Sequence, residues 1–211
     1  MYTSVSSPDW NWFENKLTYA NSILPEALLF TYLITGQEKS KEIAVQSMNF
    51  LTDKMFVDGQ FKIISNDGWH QKGVIPNSFG EQPIEACYMM HTLDLFYKTF
   101  GNTEYKVYLK KAFDWFLGRN HLSHIMYNPI TGGCYDGLEE NNVNLNQGAE
   151  STVCYLSARL LIESYTSTGK NSALSNAVKI DKFNIPLSNF PEIPNNSNRE
   201  VNSKIKNKVQ F

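Results

Sequence analysis

Asn144-Leu145-Asn146-Gln147-Gly148-Ala149-Glu150-Ser151 closes a polar loop and opens an apolar segment, with amides, a carboxylate and a hydroxyl bunched at the junction. Two other junctions have the same form: Gln82-Pro83-Ile84-Glu85-Ala86 and Leu24-Pro25-Glu26-Ala27. Each introduces an apolar helix and places a Glu in its first turn. A carboxylate there is favoured by the helix macrodipole by about 0.3–1 kcal/mol, and Pro suits the first turn because its missing N–H loses no partner. One such Glu alone therefore says little. The recurrence, and the polar and aromatic residues gathered before each junction, say more.

Outward from these junctions, apolar positions recur with a helical period over residues 25 to 35, 38 to 54, 82 to 99, 103 to 117 and 148 to 166. The aromatic-rich residues 10 to 21 admit a further short helix. Thr35-Gly36 and Phe100-Gly101 are tight connections with a glycine suited to a helix end, whereas 55 to 81 and 118 to 147 are long. Gly36, Gly101 and Gly169, spaced 65 and 68 residues apart, mark an internal repeat. Each unit is a long loop, an apolar helix, a tight turn and a more polar helix, so the first helix should be buried and the second amphipathic and outside.

Helices joined by tight turns run antiparallel, which sends every tight turn to one end of the assembly and every long loop to the other. The first-turn glutamates and the loop aromatics thus share one polar mouth. The segment Val57 to Trp69, with Gly59 between alternating apolar residues, is expected to form a hairpin lining it. Long loops in a compact domain are commonly functional.

Aromatic, amide and carboxylate groups together suit a carbohydrate. Trp12, Tyr19 and Trp69 would stack on the apolar faces of sugar rings, while Asn21, Gln82, Glu85, Asn144, Asn146 and Gln147 would read hydroxyls. Glu14, Asp136 and Glu150 are the candidate acid–base carboxylates, with Asp67 behind them. Inverting glycoside hydrolysis needs two carboxyl groups about 6.5–9.5 Å apart with a water between base and sugar. The tryptophans would serve equally well as packing between inner helices.

The 211 residues carry a net charge of -2 and a sequence pI of about 6.1, and no basic block precedes the last dozen residues. Neither nucleic acid nor an anionic membrane is an expected partner. No apolar run approaches a bilayer span and the N-terminus lacks the segments of a secretory signal, so the chain reads as soluble and cytoplasmic. Three cysteines, Cys87, Cys134 and Cys154, read as reduced thiols rather than a disulfide framework. His121 and His124 stand at helical spacing but have no third ligand in view, so no metal or other cofactor is expected. His91, on an apolar helix, reads as a partnered interior histidine.

The run Asp9-Trp10-Asn11-Trp12-Phe13-Glu14 with Leu17-Thr18-Tyr19-Ala20-Asn21 and Leu24-Pro25-Glu26-Ala27-Leu28-Leu29 resembles part of the toroid domain appended to some bacterial glycosyltransferases. So do Gln82 to Ala86, Phe113-Asp114-Trp115-Phe116-Leu117-Gly118-Arg119-Asn120, and Gly132-Gly133-Cys134-Tyr135-Asp136-Gly137-Leu138 leading to Asn146 to Ser151. The resemblance covers roughly residues 9 to 166 and implies an all-α chain of helical hairpins, part of the (α/α)6 toroid of the six-hairpin glycosidase superfamily. About half of such a toroid is supplied here. The chain would then be the C-terminal part of a longer polypeptide, the product of a split gene, or a half-toroid that closes by association.

Three functions fit. One is an enzyme acting on glycosidic bonds of an oligosaccharide or glycoside. Another is a non-catalytic sugar-binding or scaffolding domain working with a glycosyltransferase domain or with the missing half of the toroid. A third is a sugar epimerase, which would use histidines as proton shuttles; His70, His121 and His124 form no evident pair. Residues 1–169 are assigned to the partial toroid and 170–211, rich in Asn, Ser, Lys and Pro, to a polar tail without a packed core.

Overall fold

The computed structural model describes residues 1–167; the expected tail lies outside the described residues. Five long helices carry the fold after the single turn α1 (Tyr2–Val5): α2 (Ile23–Thr35), α3 (Glu38–Met55), α4 (Pro83–Phe100), α5 (Glu104–Phe116) and α6 (Ala149–Ser167). All five lie where the periodicity predicts them. Gly36 and Gly101, at φ of 72° and 71°, end α2 and α4 in the left-handed conformation that glycine adopts without a Cβ penalty. Their N–H groups donate to the carbonyls of Tyr32 and Tyr97. The chain reverses at once into α3 and α5.

These reversals make α2, α4 and α6 run in one direction, side by side, with α4 in the middle. Helices α3 and α5 pack behind α2 and α4 as an outer layer. The result is an arc of helical hairpins, a partial (α/α) toroid. Its core contains Met48, Leu51, Met55, Met90, Leu93, Phe96, Trp115 and Phe116, all buried between the two layers.

The short helix expected within 10 to 21 is absent; β1 (Lys16–Leu17) occupies part of that stretch and pairs antiparallel with β4 (His70–Gln71). Ala20 sits at φ 53°, which interrupts a helix, and Trp10 and Trp12 are drawn into the core instead, Trp12 stacking over Phe50 with ring centroids 6.2 Å apart. The hairpin expected over Val57 to Trp69 is shorter than that. Strands β2 (Phe56–Val57) and β3 (Gln60–Phe61) close around Asp58-Gly59, both with positive φ, the pair favoured in a two-residue hairpin turn. It packs on α5, so Trp69 belongs to the β1–β4 region instead. A second hairpin, β5 (Gly137–Leu138) with β6 (Val143–Asn144), stands just before α6.

Cys87, Cys134 and Cys154 are free and buried. His91 Nε2 lies 2.7 Å from Ser157 Oγ across the α4–α6 contact, the partner anticipated for it. Among the described residues no helix is long and apolar enough to cross a membrane.

Candidate functional site

The N-termini of α4 and α6 open into a cavity of about 310 Å³ whose wall includes Asn66, Gln82, Asp136, Glu139, Asn144 and Glu150. Its lining is mostly polar. Gln82 stands at the N-cap of α4 with extended backbone, and Pro83 follows as the first helical residue. Asp136 precedes β5, where its N–H donates to the carbonyls of Asn144 and Asn146 at 3.2 and 2.9 Å. Its carboxylate turns to the other side: Oδ1 accepts the Gly148 N–H at 2.8 Å and the Ser151 hydroxyl at 2.7 Å. Asp136 thereby satisfies one backbone N–H at the N-terminal end of α6 and holds the Ser151 side chain there. The approach is close, since a Cβ at Gly148 would stand 3.0 Å from Oδ1. Glu150, the second residue of α6, is exposed.

A second cavity of about 730 Å³ contains Asp67, Asn77, Glu139 and Asn142 in its wall, so Glu139 borders both. Asn77 Nδ2 donates to the Asp67 carboxylate at 3.0 Å. Gly80, at φ 88°, lets the backbone pass Asn66, whose Oδ1 would lie 2.5 Å from an added Cβ.

The first-turn glutamate of α4 has another use. Glu85 is buried, accepts the Ala20 N–H on Oε1 and has Asn21 Nδ2 at 3.4 Å from Oε2. Burial pushes its carboxyl up to about 7, against the opposing pull of those two hydrogen bonds. Glu85 thus pins the loop that enters α2. Beside that loop, Tyr19 and Trp69 pair with centroids 6.0 Å apart, Tyr19 well exposed and Trp69 partly so. Trp69 and Ala20 are both non-glycine residues at positive φ, 59° and 53°, a strain that persists only where surrounding contacts enforce it.

Neither a family model nor a curated protein sequence matches the chain. Among solved structures it is similar to an inactive variant of an alpha-1,6-mannanase, GH76A of Salegentibacter sp. HEL1_6, in complex with alpha-1,6-mannotriose. The TM-score is 0.54 at 19% sequence identity, over 74% of this chain and 44% of that one. The shared feature is the toroid fold. The chain spans less than half the length of that neighbour, itself an (α/α)6 toroid glycosidase.

The residues proposed from sequence fall into three groups. Asp136, Glu150, Gln82 and Asn144 line one cavity, although Gln82 and Glu150 are 68 positions apart. Tyr19, Trp69, Asn21 and Glu85 gather at the mouth of α2, with Asn21 and Glu85 enclosed. The remaining four are diverted. Trp12 is 1% exposed, wedged against Phe13 and Phe50, and offers no face to a ligand. Glu14 is exposed but does not line the cavity; its carbonyl accepts the Trp10 indole N–H at 2.7 Å, which holds the loop elsewhere. Asn146 contributes its carbonyl to Asp136, and the Gln147 side chain accepts the Thr131 hydroxyl, so neither lines the cavity.

Sequence reasoning missed Asn66, Glu139, Glu81 and Tyr88. Glu81 is buried, with Oε1 2.7 Å from Lys62 Nζ and Oε2 accepting the Trp115 indole N–H at 2.5 Å. Its place one residue before the Gln82-Pro83 junction was the available signal. Tyr88, one turn beyond Glu85, has its hydroxyl pushed up by burial and then by Cys154, Cys87, Glu150 and Glu26. It therefore stands within electrostatic reach of acids on both α2 and α6. His70, His121 and His124 sit in different settings, against Trp10, Phe79 and Tyr135 respectively.

Proposed function

We propose that the chain binds a neutral oligosaccharide at the N-terminal ends of α4 and α6 and cleaves a glycosidic bond there. The observation that carries the reading is the cavity itself. Three carboxylates, Asp136, Glu139 and Glu150, and three amides, Asn66, Gln82 and Asn144, converge from separate stretches of the chain on a mostly polar wall. Amides and carboxylates without a basic partner read hydroxyls rather than anions. The toroid fold supports this, since the similar mannanase holds a mannotriose. The Tyr19–Trp69 pair supplies a ring-stacking surface at the neighbouring helix mouth.

Asp136 and Glu150 suit different roles. Asp136 is fixed by two hydrogen bonds to the α6 N-terminus, an arrangement for orienting a sugar or stabilising developing positive charge. Glu150 is exposed and free to move a proton. Titration of neutral oligosaccharides, alpha-1,6-linked mannose oligomers first, into the full chain by calorimetry tests the binding step. Because no ion pair is involved, affinity should change little with salt; absence of heat with every oligosaccharide would overturn the reading.

A second reading, a sugar-binding domain that serves a glycosyltransferase, uses the same cavity without turnover. The engagement of Asp136 as a structural cap favours it. Reducing-sugar release separates the two.

A further inference from the structure

The run Phe113 to Asn120 takes no part in the glycan cavity. Asp114, Leu117, Arg119 and Asn120 instead wall a separate cavity of about 440 Å³, together with Lys111, Ser123 and residues 59 to 61 of the β2–β3 hairpin. The two cavities share no lining residue. Helix α5 runs antiparallel to α4, so its C-terminal end and this cavity lie at the loop end of the assembly, in the outer layer. The turn that leaves α5 is tightly held. Gly118 has φ 95°, and a Cβ there would stand 3.3 Å from the Ser123 carbonyl oxygen. Asn120 Oδ1 accepts the His124 N–H at 3.1 Å, and Nδ2 donates to the carbonyls of Trp115 and His124 at 3.0 and 2.8 Å.

Charge in this wall does not balance. The Asp114 oxygens lie 2.9 and 2.7 Å from Lys110 Nζ, so its carboxylate already has a cation. Among the described residues neither Lys111 nor Arg119 forms an ion pair, whereas Arg159 lies 2.6 Å from Glu163. Asp58, in the hairpin turn, does not line the cavity. Two unmatched cations thus share one concave wall in a chain of net charge -2. The carbonyl end of a helix opposes an anion, but here it is covered. The Asp114 carbonyl accepts the Leu117 and Arg119 N–H groups at 3.0 and 2.9 Å, that of Trp115 the Gly118 N–H at 3.2 Å, and that of Phe116 the Met126 N–H at 2.9 Å.

We propose that this cavity binds a phosphate monoester of a hexose-sized molecule, with Arg119 and Lys111 holding the phosphate. A guanidinium fork matches two phosphate oxygens, and an ammonium adds a point charge. A phosphate monoester carries about -1.5 to -2 charges at neutral pH, which answers both cations, whereas a carboxylate answers one. The volume falls within the range of about 300–1,000 Å³ typical of small-molecule sites. Phe61 and Leu117 supply apolar surface for the organic body, and Gln60 and Ser123 supply polar groups for its hydroxyls.

Calorimetry on the full chain at low salt tests this with mannose 6-phosphate, glucose 6-phosphate, inorganic phosphate, glucuronate and mannose. Both hexose phosphates should bind more tightly than the other three, with an affinity that falls as salt is raised. Arg119→Gln should weaken them about 10–100-fold, the weight of a lost hydrogen bond to a charged group. Arg119→Lys, which keeps the charge and loses the fork, should fall between. Lys111→Gln should weaken them too. Arg119 is exposed and Lys111 partly so, and circular dichroism of each variant should be unchanged. Because no wall is shared, failure of mannose oligomers to bind at the other cavity leaves these outcomes unaffected. Absence of heat with both hexose phosphates would overturn the proposal, as would phosphate or glucuronate binding as tightly as they do, or affinity unchanged in Arg119→Gln and Lys111→Gln.

Discussion

Asp136 Oδ1 and Ser151 Oγ are 2.7 Å apart, and the same oxygen takes the Gly148 N–H, so one carboxylate both caps α6 and borders the cavity. Asp136→Ala should lower stability by about 0.5–2 kcal/mol, the range for loss of a helix cap. Asp136→Asn keeps an acceptor oxygen and should restore most of it. Chemical denaturation of the three proteins checks the order.

Glu85 couples the α2 entrance to pH. Its carboxyl is pushed up to about 7 in the folded chain from an ordinary value near 4.5. Between those values the folded state holds a proton that the unfolded state has lost, so stability should fall as pH rises from about 4.5 to 7 and level off above. The shift corresponds to about 3 kcal/mol. In Glu85→Gln this component of the slope should vanish, and melting temperatures across that range measure it.

Trp69 and Trp12 should behave as opposites. Trp69 is partly exposed beside Tyr19, whereas Trp12 is enclosed by Phe13 and Phe50. Trp69→Phe should abolish any sugar-dependent change in tryptophan fluorescence and leave stability nearly unchanged. Trp12→Ala should cost about 3–5 kcal/mol, as deletion of a buried indole does.

The helices were legible because 3.6-residue periodicity and the Thr35-Gly36 and Phe100-Gly101 stops are local signals. The alternation of tight turns and long loops predicts which helix ends meet, and Gln82, Asp136, Asn144 and Glu150 border one cavity there. Side-chain fate was less legible. Trp12 and Trp69 both have polar neighbours in sequence, yet Trp12 is buried against Phe13 and Phe50 while Trp69, beside the β1–β4 pairing, is partly exposed. Glu81 and Glu85 stand four positions apart, yet one meets Lys62 and Trp115 and the other Ala20 and Asn21. Those partners come from distant segments that no spacing rule connects.

Glu81 ties together several segments at the loop end. It bridges Lys62, from the stretch after β3, to Trp115 near the end of α5, and its backbone exchanges hydrogen bonds with Leu138 at 2.9 Å in each direction. Removing one partner of a buried pair leaves the other poorly compensated, at a cost of about 3–5 kcal/mol when both are deeply buried. Lys62 is partly exposed, so Glu81→Ala should fall below that range. Hydrogen exchange should show the loss concentrated in residues 62 to 81 and 134 to 144.

Glu150 decides between turnover and recognition. It is exposed on the cavity wall, and it is Asp136 that accepts the Gly148 N–H at the start of α6. Glu150→Gln preserves size and hydrogen-bonding capacity but cannot exchange a proton near neutral pH. If the cavity cleaves glycosides, release of reducing sugar should fall about 10²–10⁴-fold, the usual weight of a general acid–base group, while calorimetric affinity stays within a few-fold. Asp136→Asn should weaken binding and turnover together, since it disturbs the wall as well as the chemistry. Turnover that persists in Glu150→Gln, Asp136→Asn and Glu14→Gln alike would place the chemistry outside these three carboxylates.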